Sequence, residues 1–428
     1  MSFLVAYFLP LFYLLAIAAW LLRGKLGPGL GFSRQFVTVF FLAKCAAGLL
    51  YTLVALKFIP NRGDMWGFFE DGTTLYQLLW QNPTGCWQAI VEMFSISDAA
   101  ITNTQSDYIR SAFEGIKFIH FLLNFLSGGN IYTNTIIFNA LALWPLLRCW
   151  QFLRVQWQCT VLPFWFVMLP SAFFYSAGIH KEGLVLVLVS ALLPQVHALV
   201  ARRRWQALPG AIVLLGLLLF FKVFVGLTFL AALVLWALLA GTGVAAGKGT
   251  AVAVVGGLLL FFGTHMLVPA LNFPQYIVSR QQEFLALEAA SRIAMQPLQP
   301  QFWSFVKALP SSLAHVLFSP MPGAGGKAWY LVFSAEMLSY WALVAWWVVK
   351  ARGKRQVLPP LLWALVVFGG INLLVIGYTI PNIGAIMRYR SIFMPCLLVG
   401  FCGFFAGQSV MPGLRRCLSR YVYHPPPG

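Results

Sequence analysis

Stretches of about twenty apolar residues recur along this chain, and short clusters of Lys and Arg separate them. A stretch of that length crosses the hydrocarbon core of a bilayer as one α-helix, because a helix satisfies its backbone polar groups internally. The chain is 60% hydrophobic and 9% charged. A water-soluble core cannot use that much apolar surface, whereas lipid can. The 38 Phe and 16 Trp suit lipid-facing and interfacial positions. The sequence therefore predicts an all-α fold, a polytopic integral membrane helical bundle over residues 1–428.

The formal net charge of +18 is not the signature of a nucleic-acid binder. The cations fall in six places: Arg23/Lys25/Arg34, Arg148/Arg154, Arg202/Arg203/Arg204, Lys248, Lys350/Arg352/Lys354/Arg355 and Arg415/Arg416/Arg420. Positive-inside bias explains this pattern, and no basic stripe interleaved with aromatics is present, so no nucleic-acid partner is expected. Eleven spans fit the apolar runs, at about 3–22, 36–58, 131–150, 158–174, 182–199, 208–221, 223–240, 250–269, 328–349, 357–378 and 389–408. With this count every basic cluster lies inside, the N-terminus outside and the basic tail 409–428 in the cytoplasm. Reading 208–240 as one span would turn the later clusters outward, so two short spans meeting at Lys222 are preferred. Reading 111–128 as a span would expose Arg202–Arg204, so that segment is taken as a helix lying at the outer interface. Residues 1–22 read as a retained helix, since no basic residue precedes the apolar run and no A-x-A site follows it.

Two long polar segments remain, 59–130 and 270–327, both outside in this topology. All eleven acidic residues, from Asp64 to Glu336, fall in or at the mouth of outward segments. Acids do not set topology, so a one-sided set points to an outward-facing chemical site. Seven cysteines without CxxC spacing predict neither a disulfide framework nor a zinc pair. No Walker loop, Rossmann fingerprint, GxSxG elbow or HExxH is present.

Four constellations are able to carry chemistry. The first, residues 61–72, places Asp64, Glu70 and Asp71 just after a span. A carboxylate at a membrane boundary suits general-base work on a hydroxyl or metal ligation, although Asp71-Gly72 also reads as ordinary turn chemistry. The second, residues 169–183, ends in His180, Lys181 and Glu182. His180 or Lys181 suits a phosphate and Glu182 suits the task of orienting either; the plainer reading is a Lys–Glu pair at a helix start. The third has Arg388 and Arg390 before the last span, where guanidinium forks match phosphate oxygens. The fourth is Lys222, a cation between two apolar halves. Weaker signals are Lys44 within a span, Glu336, and Gln281/Gln282/Glu283, while His197, His265, His315 and His424 read as ordinary histidines.

An acidic first outer segment, then PSAFFYSAGIHKEG, then an apolar run broken by a cation, then RYR before the last helix, resembles the GT-C superfamily of polytopic membrane glycosyltransferases. Bacterial members tied to surface polysaccharide and lipid glycosylation come nearest. The resemblance implies a GT-C-like bundle in a bacterial cytoplasmic membrane, a sugar donor on polyprenyl phosphate, and transfer on the outer side to a glycan, lipid or protein acceptor. It implies a catalytic carboxylate at Asp64, with Asp71 as the competing match. It implies donor-phosphate contacts from His180, Lys181, Arg388 and Arg390. A divalent metal is compatible with these residues and not required by them. Phe68 and Phe69 stand where a tyrosine commonly follows the family's acid. The rival expectations are a transporter or flippase for a lipid-linked saccharide, using Lys44 and Lys222, and a non-catalytic membrane subunit of an export or surface-assembly machine.

Overall fold

The computed structural model describes residues 7–58, 63–94, 104–157, 161, 164, 167–242, 246–269, 271–287, 291–322, 328–351, 358–404 and 411–423. Among these residues the chain is helical, with two isolated bridges and no strand. The helices are α1 (Leu9–Arg23), α2 (Arg34–Phe58), α3 (Gly63–Gln81), α4 (Pro83–Phe94), α5 (Thr104–Ser127), α6 (Ile131–Trp157), α7 (Pro170–Tyr175), α8 (Lys181–Val200) and α9 (Leu208–Phe221). There follow α10 (Val223–Thr242), α11 (Ala246–Leu267), α12 (Phe273–Ala286), α13 (Phe302–Phe318), α14 (Ala328–Ala351), α15 (Pro360–Thr379), α16 (Ile383–Phe404) and α17 (Pro412–Tyr421).

Eight helices among the described residues are long and apolar enough to cross a membrane: α2, α6, α8, α10, α11, α14, α15 and α16. Each overlaps one of the spans expected from sequence. Two further expected spans correspond to the shorter apolar helices α1 and α9. The fourteen residues of α9 rise about 21 Å at 1.5 Å per residue, short of a hydrocarbon core about 30 Å thick. The expected span at 158–174 falls largely outside the described residues, as does His424.

Segment 59–130 is more helical than an outer loop with one interfacial helix. It holds α3, α4 and α5. Met65, Phe68, Gly72 and Leu75 are buried at helical spacing along α3. Asp71-Gly72, which the sequence also allowed as a turn, lies mid-helix. A Cβ at Gly72 would lie 2.6 Å from the Lys117 carbonyl oxygen and 2.7 Å from His120 Cβ, so glycine is what lets α5 pack against α3. Leu75, Cys86 and Phe121 form the core where α3, α4 and α5 meet.

The chain divides into two compact units, Met1–Gln158 with Phe173–Gly226 and Arg416–Gly428, and Cys159–Ala172 with Leu227–Arg415. In the first, α2 and α6 approach so closely at Gly48 that an added Cβ would meet the Ala177 carbonyl oxygen at 2.6 Å and Thr135 Cγ2 at 2.7 Å. Leu123, Ile137, Phe138 and Ile179 make one core cluster, with Tyr13 of α1 against it. Asn139 of α6 donates to the Ala177 carbonyl (2.8 Å), tying the 176–180 turn to that helix.

In the second unit, rings of Phe229, Phe368 and Phe393 pack edge-on and join α10, α15 and α16. Asn372 donates to Thr228 Oγ1 at 2.8 Å within the same contact. The buried Gln281 of α12 donates to the carbonyls of Gln296 (3.1 Å) and Tyr378 (2.9 Å) and accepts from the Leu298 amide. This fixes the extended stretch before α13.

Candidate functional site

A cluster of ionisable groups in the first unit forms where α8 begins. Residues 176–180 turn sharply, and Lys181 starts the helix behind an extended His180 (φ −151°, ψ 177°). Gly183 is required one turn later, because a Cβ there would lie 2.7 Å from the Gly178 carbonyl oxygen. His180 and Glu182 are both 2% exposed. The Glu182 carboxylate is shared. Its Oε2 lies 2.9 Å from His180 Nδ1, and its Oε1 lies 3.0 Å from Lys222 Nζ. Lys222 stands at the break between α9 and α10 (φ −151°, ψ 87°), which turns the cation back toward α8.

Magnitudes show why this cluster is more than a staple. At 3.0 Å the gross attraction between Lys222 and Glu182 is about 5 kcal/mol at an effective dielectric of about 20. Burying each ion costs several kcal/mol, so the pair roughly breaks even against an apolar pair of the same size. Ionisable groups kept at membrane depth without a stability gain are functional candidates.

Asp64 is reached through α2. It is exposed in the first turn of α3, where the helix dipole favours a carboxylate. The turn is moored by its neighbours. Thr52 Oγ1, which donates to the Gly48 carbonyl (2.9 Å), lies 3.9 Å from Met65 Sδ, and Trp66 Nε1 donates to the Thr52 carbonyl (3.2 Å). The preceding residue, Tyr51, packs on the His180 ring at 5.0 Å and on Gly178. Consecutive residues of one helix therefore hold the His180 turn and the Asp64 turn. Sequence reading did not single out Tyr51 or Thr52; their only signal is the buried face 44, 48, 51, 52 and 55 of α2.

The remaining candidates are dispersed. Asp71 lies seven residues beyond Asp64, on the same face of α3 and about 10 Å along its axis. Its carboxylate pairs with Lys117 at 2.9 Å. Glu70 is exposed and Lys181 half-buried. Lys44, 2% exposed, donates to Ser176 Oγ at 2.7 Å and to the Phe173 carbonyl at 3.2 Å.

Arg388 and Arg390 belong to the second unit. Arg388 donates to Tyr389 OH at 3.0 Å. Arg390 is buried and donates to the carbonyls of Val316 (3.0 Å) and Ser319, so part of its fork closes the C-terminal end of α13. Glu336 accepts from the Ser171 amide at 2.7 Å and from Tyr340 OH. Glu283 pairs with Arg280 at 2.7 Å, and Gln282 is exposed.

A buried polar seam between α3, α5 and α6 was not expected from sequence. Asn134 Nδ2 donates to Asn124 Oδ1 (2.7 Å) and faces His120 Nδ1 (3.4 Å), while Asn124 Nδ2 donates to Thr73 Oγ1 (3.1 Å). Burial pulls His120 down to about 3. The i, i+4, i+7 spacing of His120, Asn124 and Ser127 was the available signal.

Among the described residues no group of three or more His, Cys, Asp and Glu side chains could hold a metal ion. No known family, curated protein or solved structure matches this chain.

Proposed function

We propose that this polytopic membrane protein is a glycosyltransferase that moves a sugar from a polyprenyl-phosphate donor to an acceptor hydroxyl on the extracytoplasmic side. The reading rests on one observation: Tyr51 and Thr52, adjacent on α2, carry the His180–Glu182–Lys222 cluster and the mooring of the Asp64 turn. Asp64 takes the proton of the acceptor hydroxyl. The acceptor oxygen bonds to the anomeric carbon, and the bond from that carbon to the phosphate oxygen breaks, its electron pair leaving on polyprenyl phosphate. Lys222 and Lys181 meet the phosphate charge, and Glu182 orients both His180 and Lys222. General-base assistance of this kind is worth about 10²–10⁴-fold in rate. The assignment uses the first unit alone. It is tested by incubating the purified full chain with labelled sugars on polyprenyl phosphate and on nucleotides, together with glycan, lipid and protein acceptors. Product from the lipid-phosphate donors is expected. Lipid-linked sugars left intact with every acceptor, or product from nucleotide sugars instead, overturns it.

A second reading, a transporter for a lipid-linked saccharide, is favoured by Lys44. This cation is buried inside a candidate span with no carboxylate partner among the described residues. Movement of the labelled lipid-linked sugar across proteoliposomes without chemical change supports that reading over the first.

A further inference from the structure

One end of the first unit is built around Tyr423. Trp150 Nε1 donates to its hydroxyl at 3.1 Å, and the Arg154 guanidinium lies 4.2 Å over its ring. Phe32 packs against it at 5.8 Å. The Ser33 amide donates to the Val422 carbonyl (2.9 Å), and Ser33 Oγ to the Tyr421 carbonyl (3.0 Å). These contacts fix the end of α17 beside the connection between α1 and α2. The fixed surface is strongly cationic. Arg23, Lys25, Arg34, Arg416 and Arg420 are all exposed. The sequence has no Asp or Glu before Asp64, none in 131–158 and none after Glu336, so no acid lies in the elements that build this end.

We infer that this face is a docking surface for anionic phospholipid headgroups. Three observations carry the identification of the partner. First, Arg34 is the first residue of α2 and Arg154 is three residues from the end of α6, and both helices are candidate spans. The basic groups therefore stand where membrane-crossing helices end, at headgroup level. Second, Trp20 (59% exposed) and Tyr421 (62% exposed) flank the cations, as aromatic residues do at a bilayer interface. Third, four of the five cations are arginines, whose forked donors match phosphate oxygens. A small acidic protein or a nucleic acid would not call for the aromatic flanks at the ends of spans.

The test uses the full chain in neutral detergent, titrated with phosphatidylglycerol or phosphatidylcholine, with bound lipid counted by native mass spectrometry. Phosphatidylglycerol is expected to bind at least about tenfold more tightly than phosphatidylcholine. Each basic group near an anionic surface contributes about fivefold, so neutralising two (R416Q with R420Q) lowers the apparent affinity about thirtyfold. The pair R23Q and K25Q, on a different element, is expected to do the same, so a folding defect in one variant leaves the other to decide. Lipid-free melting of each variant in detergent reports whether it is folded. Equal retention of the two lipids overturns the inference, as do folded variants that hold phosphatidylglycerol like the wild type. So does displacement of the lipid by an equal concentration of inorganic phosphate, which would mark a small-anion site.

Discussion

Neutralising Glu182 and Lys222 together should destabilise the first unit less than the sum of neutralising each alone. The carboxylate is 3% exposed and has His180 at 2.9 Å and Lys222 at 3.0 Å. Glu182→Gln takes away the negative charge that lies 3.0 Å from Lys222 Nζ. Breaking a buried pair in this way costs about 3–5 kcal/mol. The Lys222 side chain is 21% exposed, which puts the expected cost at the low end, about 3 kcal/mol. Lys222→Met in the wild type takes away one of the two basic neighbours of the carboxylate and costs a similar amount. The double variant carries neither charge, so it should lose about 2 kcal/mol less than the sum of the two single losses. Unfolding of the four proteins in mixed micelles, followed by tryptophan fluorescence, measures this coupling. If Lys222→Met costs the same in both backgrounds, within about 0.5 kcal/mol, the shared carboxylate is not what holds these elements together.

The two glycine approaches should be intolerant of a methyl group. Gly48→Ala and Gly72→Ala each force a Cβ to about 2.6 Å from a carbonyl oxygen, and each should cost about 1–3 kcal/mol in the same unfolding assay. His120 should make the protein acid-sensitive. Its folded value, about 3, lies below the ordinary 6.5, so the unfolded chain binds the extra proton between those limits. Its stabilising contribution is therefore complete above pH 6.5 and is lost, at about 1.4 kcal/mol per unit, as pH falls toward 3. Melting curves of the wild type and His120→Gln between pH 7 and 4 check this; the wild type should fall more steeply.

The fold was legible where one physical signal dominates. Apolar runs located every helix now seen to be long enough to cross a membrane, and Lys222 marked the break between α9 and α10. The run at 208–221 coincides with α9 residue for residue, yet its fourteen residues are too few to reach across a hydrocarbon core. The site was legible only residue by residue. Lys181-Glu182 read as a local pair at a helix start, yet Glu182 pairs with Lys222, forty positions away, because the helix break presents that cation to α8. Sequence spacing carries no information about such a contact. Asp71-Gly72 was legible as helix, since Met65, Phe68, Gly72 and Leu75 repeat at helical spacing; the polarity of the segment obscured it. The seam of His120, Asn124 and Asn134 was obscured for the opposite reason, because polar residues are expected at the surface and these are buried on one another.

The proposal that Asp64 does chemistry while the Glu182 cluster holds the donor is tested most directly by one experiment on Asp64→Asn. The folded variant is loaded with a labelled polyprenyl-phosphate sugar, and donor bound and sugar transferred are counted in the same single-turnover sample. The account predicts donor retention equal to that of the wild type, with transfer slowed at least about a hundredfold. Transfer at the wild-type rate, or loss of donor retention in parallel with transfer, would contradict it.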